Sequence, residues 1–141
     1  MGIQLKQLAD NSLGMEGVGK DAGAFLFVPV AYSASTASAS VFTAPRACIV
    51  QAISGRVEVS GTGGACTFSL YKAASGTAGV SGVLLHTGSF NVAGTAATTQ
   101  ALSLSAVLGA TSLAAGDSIY LALTGVATAA VGNVTLALNP L

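Results

Sequence analysis

No tryptophan occurs in this 141-residue chain, histidine occurs once, and only 7% of the residues are charged. Each shortage closes off a class of function. Ordinary soluble domains carry roughly 25% charge, so a surface this poor in ions suits contact with other protein. Five basic and five acidic residues cancel to a formal net charge of zero. Nucleic acid is a poor partner, because neutralising phosphates requires clustered Lys or Arg. Here Lys6, Lys20, Arg46, Arg56 and Lys72 are scattered, and neither residue type occurs after Lys72. The same scatter leaves no basic amphipathic helix for a membrane surface.

Hydrophobic residues nonetheless make up 52% of the chain. The apolar runs, such as 24–32 and 118–123, fall well short of the ~20 residues a spanning helix needs. With three tyrosines and no tryptophan, the aromatic girdles of an outer-membrane barrel are missing as well. Residues 22–32, followed by the Ser/Ala-rich stretch 33–39, imitate a secretory signal. The preceding residues are not basic, since Asp10, Glu16 and Asp21 outweigh Lys6 and Lys20, and Pro29 interrupts the apolar run. That pattern reads as a retained N-terminal segment.

Catalytic chemistry finds no support. His86 has no acidic neighbour in sequence and falls on the more apolar face of its segment, which reads as a structural histidine. Asp117 follows Gly116 at the opening of a strand, where a carboxylate accepts hydrogen bonds from turn amides. Arg56 and Glu58, two apart on a strand, share its polar face as a solvated ion pair or a partner contact. There is no GxSxG elbow, and Gly61-Thr62-Gly63-Gly64 lacks the lysine and helix of a phosphate loop. Cys48 and Cys66 match neither a zinc spacing nor a CxxC pair. They read as two small buried side chains, with a disulfide as the alternative. The expectation is a non-enzyme without cofactor or metal.

The length suits one domain with a sizeable core. After Phe42 nearly every segment alternates apolar and polar residues, as half-buried strands do. A glycine-rich hairpin at Gly61–Gly64 would set Val59 against Cys66, Val57 against Phe68 and Gly55 against Leu70, with Glu58, Arg56 and Ser54 on the other face. Further alternation runs through Leu84, His86, Phe90 and Val92, then Leu102, Leu104, Ala106 and Leu108. It continues in Ile119, Leu121 and Leu123, and in Val134, Leu136 and Leu138. Short small-residue turns separate these runs. The predicted fold is all-β: an antiparallel β-sandwich, jelly-roll-like, with an extended N-terminal arm. The arm covers 1–40, with one apolar strand at about 24–31 and a Ser/Ala linker, and the sandwich covers 41–141. Phe25, Leu26, Phe27 and Val28 are apolar on both faces. They suit docking onto a neighbouring subunit, or equally a first strand of the same domain buried on both sides.

Three stretches carry a family resemblance. The run from Val41 to Gly55 (VFTAPRACIVQAISG), the loop from Lys72 to Ala78 (KAASGTA) and the segment from Leu113 to Leu121 (LAAGDSIYL) resemble those of tailed-bacteriophage virion domains. The resemblance implies a capsid decoration (cement) protein. Such a protein is made in the host bacterial cytoplasm and sits on the capsid surface of the virion as a homotrimer. Its partners are the major capsid protein and itself, with no nucleic acid or membrane, and avidity among many copies makes modest contacts sufficient. A tail or head-fibre component is the alternative within the virion. A carbohydrate-binding module is the alternative of another class, one that calls for exposed aromatic platforms. On this reading Phe25 to Val28 grip the shell, and removing residues 1–40 leaves the sandwich folded.

Overall fold

The computed structural model describes residues 26–33, 38–126 and 128–141. Among them the regular structure is strand apart from one 3₁₀ turn at Gly79–Ser81. The strands are β1 (Leu26–Ser33), β2 (Ala39–Thr43), β3 (Cys48–Val59), β4 (Thr67–Ala73), β5 (Val83–Leu84) and β6 (His86–Thr87). They continue with β7 (Phe90–Asn91), β8 (Thr98–Leu104), β9 (Ser112–Leu113), β10 (Ser118–Thr124) and β11 (Val131–Pro140).

Two antiparallel sheets form. Sheet A runs β1-β11-β3-β8-β6, with β9 beside β3; sheet B runs β2-β10-β4-β5, with β7 beside β4. The chain passes from one sheet to the other at every step except β4 to β5 and β8 to β9. The resulting orders, β1-β11-β3-β8 facing β2-β10-β4-β5, are those of a jelly roll. The all-β sandwich expected from the alternation is therefore the fold.

The expected hairpin at Gly61–Gly64 does not form. β3 pairs with β11 and β8, whereas β4 pairs with β10 and β5, so the glycines carry the chain from sheet A to sheet B. Gly63 and Gly64 adopt positive φ at 111° and 126°, which glycine accepts without steric cost. The sorting of side chains was correct for a different reason. Ile53 and Val57 on β3 and Cys66, Phe68 and Leu70 around β4 are all buried, meeting across the sandwich and not across a hairpin.

Strand β3 changes phase midway. Its partners on β11 skip Gln51 and Glu58, so each is the extra residue of a bulge. The first bulge moves the inward set from Cys48 and Val50 to Ile53 and Val57. The alternation expected through Leu108 stops earlier: β8 ends at Leu104, and Leu108 stands fully exposed in the following loop. The alternation through Leu84 and His86 also breaks, because Leu85 is buried where the chain leaves β5 for β6.

The core is centred on three rings. Tyr32 meets Phe68 edge-on at 4.7 Å and Phe90 at 5.7 Å, while Phe68 and Phe90 stack at 6.4 Å. Such pairs contribute about 0.5–1.5 kcal/mol each beyond their area. Tyr32 belongs to β1, which pairs with β11 at eight successive positions from Leu26↔Leu138 to Ser33↔Val131. Ser38 Oγ accepts the Leu123 amide proton, and Ala39 and Ser40 pair with β10. Part of the segment expected as arm and linker thus supplies jelly-roll strands. Removing residues 1–40 would delete β1 and Tyr32, so the expectation that the sandwich survives that truncation is corrected.

Candidate interaction surface

An apolar cleft of about 370 Å³ opens between the sheets where β1 and β2 lie over one another. It is lined by Leu26, Phe42, Pro45, Cys48, Leu138 and Pro140, with Arg46 as its single charged residue. The lining is assembled from three separate stretches of the chain, 26, 42–48 and 138–140, so no period along the chain announces it. Cys48 is buried here, and desolvation raises its thiol pKa, an effect the nearby Arg46 guanidinium opposes. Cys66 is buried elsewhere in the core, where desolvation likewise raises its thiol. Both cysteines are free thiols.

The residues singled out for partner contact divide. Phe25 lies outside the described residues. Leu26 lines the cleft and is half exposed, Phe27 is 63% exposed, and Val28 packs against the core. Phe27 begins a row that continues through Ala137 and Ala52 across the outer face of sheet A. The next rows are Pro29, Thr135, Ser54 and Ala101, then Ala31, Asn133, Arg56 and Thr99. Apart from Phe27 at its edge, the side chains in these rows are small and uncharged except for Arg56, which pairs with Glu58.

The candidates for chemistry all have structural work. His86 Nε2 accepts the Leu70 amide proton at 3.0 Å, and burial holds the imidazole below its ordinary pKa, against a smaller opposing effect of the Thr87 and Gly88 backbone. Asp117 Oδ2 accepts from the Ala114 amide at 3.0 Å, as expected for a turn carboxylate, while the Asp117 amide donates to Ala114 O at 3.1 Å. Gly116 takes φ +87° at the third position of that turn, where a type II turn requires it. Lys72 Nζ donates to the Gly109 and Ser112 carbonyls at 2.9 and 2.8 Å, pinning the loop before β9.

Of the three tyrosines, Tyr32 is buried, while Tyr71 and Tyr120 are half-buried neighbours across β4 and β10. The Tyr120 ring lies directly against Gly79. None stands out as a platform. Among the described residues no three of His, Cys, Asp and Glu gather as metal ligands, and no helix is long and apolar enough to cross a membrane.

Neither a family model nor a curated protein matches the chain. Among solved structures, a chain of the Cyanophage Pam1 capsid asymmetric unit is similar at 19% identity and a TM-score of 0.48, over 82% of this chain and 83% of that one.

Proposed function

We propose that this chain is a non-enzymatic decoration (cement) protein of a tailed-phage head, binding the outside of the shell and stabilising contacts between major capsid protein subunits. The carrying observation is the outer face of sheet A, four strands wide, with one internally paired couple of ions. Small uncharged side chains let another protein surface approach closely without stripping water from unpaired charge. Phe27, exposed at the rim of that face, supplies an apolar anchor. The likeness of 41–55, 72–78 and 113–121 to phage virion domains supports the same reading.

On this reading copies associate as homotrimers on the capsid surface. Many identical weak contacts then act together, and avidity supplies the strength that one contact lacks.

The test is quantitative mass spectrometry of purified virions. A copy number comparable to that of the major shell protein supports a cement role. A handful of copies moves the chain to the tail or a fibre, and absence from virions ends the proposal. Phe27→Asp tests the surface itself: the variant should fold yet bind shells at least ten-fold more weakly, and undiminished binding removes β1 from the interface.

A further inference from the structure

The cleft between β1 and β2 has apolar walls and one exposed arginine, Arg46, at its rim. Leu26, Phe42 and Leu138 supply hydrocarbon, while Pro45 and Pro140 bring no amide donors. Burial keeps the Cys48 thiol in its neutral form. The backbone is fixed on both sides of Arg46. Ala44 donates to the Asp117 carbonyl and accepts from the Gly116 amide, each at 2.8 Å, and the Ala47 carbonyl accepts from the Leu141 amide at 2.9 Å. The arginine itself is left over. Among the described residues Arg56 is paired with Glu58 and Lys72 is held by the Gly109 and Ser112 carbonyls, whereas Arg46 has neither ion pair nor hydrogen bond. The nearby carboxylate of Asp117 is engaged by the Ala114 amide.

We propose that the cleft binds a free single-chain aliphatic carboxylate, with its tail between β1 and β2 and its headgroup on the Arg46 guanidinium. An apolar cleft with one polar group to fix orientation is the usual form of a small-molecule site, and about 370 Å³ falls in the size range of such sites. The planar guanidinium matches a carboxylate in charge and in geometry. Volume sets the tail length. The cleft has roughly twice the space of the ~150 Å³ apolar cavity that takes a benzene-sized group, which corresponds to about ten to twelve carbons. A cationic amphiphile would meet repulsion at the same rim. This inference goes beyond the capsid proposal and does not rest on it.

Calorimetric titration of the full-length protein with decanoate, kept below its micelle concentration, tests the proposal. One decanoate should bind per chain. Affinity should rise about four-fold with each methylene from hexanoate to decanoate, then level off beyond about twelve carbons as the cleft fills. Decyltrimethylammonium, with the same tail and the opposite charge, should bind about five-fold more weakly. Arg46→Gln should cost decanoate about the same factor. Arg46 is exposed, so this variant should unfold at the native temperature, and the comparison of the two charged ligands needs no variant at all. In amide NMR spectra the resonances of Leu26, Phe42, Cys48 and Leu138 should shift, and that of Ala101 should not. No binding, or equal affinity for the two charges, overturns the proposal. Affinity that keeps climbing with tail length, or shifts centred on the outer face of sheet A, overturns it in favour of adsorption to exposed apolar surface. Phosphatidylglycerol vesicles that bind while decanoate does not overturn it in favour of a membrane surface. The isolated protein is used without shells, so failure of the capsid proposal leaves this result unaffected.

Discussion

His86 joins the two sheets through opposite parts of one residue: its backbone pairs with Leu104 in sheet A, while its Nε2 takes the Leu70 amide proton from sheet B. On β4, β5 covers Tyr71 and Lys72 and β7 covers Thr67 and Phe68. Between them the chain has stepped across to β8, and the imidazole returns to serve the amide left behind. A buried amide without an acceptor costs about 1–3 kcal/mol. Replacing His86 with alanine adds a cavity, so a total loss of about 2–4 kcal/mol is expected in urea unfolding. His86→Gln, which keeps an acceptor, should lose less.

The same contact sets an acid limit. Accepting a proton at Nε2 would end its role as acceptor, and burial already holds the His86 pKa below the ordinary 6.5. The unfolded chain therefore binds the proton more readily. Stability should be complete above pH 6.5 and decline as pH falls below it towards the folded value. His86→Gln should lack this component when unfolding midpoints are compared across pH 4.5–7.5.

Tyr32 sets the alkaline limit. Its hydroxyl donates to Arg56 O at 3.2 Å, and desolvation, with smaller contributions from Glu58 and Cys66, pushes its pKa up to about 12. The folded state here holds the proton more tightly than the unfolded chain. Stability should be retained below pH 10 and lost as pH rises from there towards 12. Tyr32→Phe should remove that dependence at a cost of about 1 kcal/mol near neutrality.

Gly55 lies beneath the Phe90 ring, and a β-carbon there would overlap it. Gly55→Ala should destabilise by about 1–3 kcal/mol through overpacking. Ala52→Ser, three residues away on the exposed face of the same strand, should stay within about 0.5 kcal/mol. Thermal unfolding of the pair checks both, and equal shifts would argue against the ring–glycine contact.

Asp117 closes the turn between β9 and β10 with its carboxylate on the Ala114 amide. Asp117→Ala should cost about 1–2 kcal/mol in urea unfolding and Asp117→Asn distinctly less. An equal loss in both would show that charge, and not the acceptor, matters.

The β content, the inward faces of β10 and β11, and the role of Asp117 were legible because each rests on a local period or turn. Ile119, Leu121, Val134 and Leu136 fall on one face in any antiparallel sandwich. The partner of each strand was not legible. Val57 and Phe68 can meet across a hairpin or across a core with the same alternation, and only the global topology decides. Bulges at Gln51 and Glu58 and the crossing at Leu85 interrupt the period without any marker residue. The cleft was invisible for a related reason: Leu26, Phe42, Arg46 and Leu138 share no local pattern and meet only when β1 and β2 are laid over one another.

The pairing of β1 with β11 has a consequence for biosynthesis. Leu26 and Leu138, about 110 residues apart in sequence, are direct neighbours in the sheet. The first strand must wait on the ribosome until nearly the whole chain has emerged. Such distant pairing slows folding, and during that wait the apolar β1 has no β11 to cover it. Synthesis is then the interval of greatest exposure to aggregation. A slower passage through the last hundred codons would lengthen that interval, even though the finished protein would be unchanged.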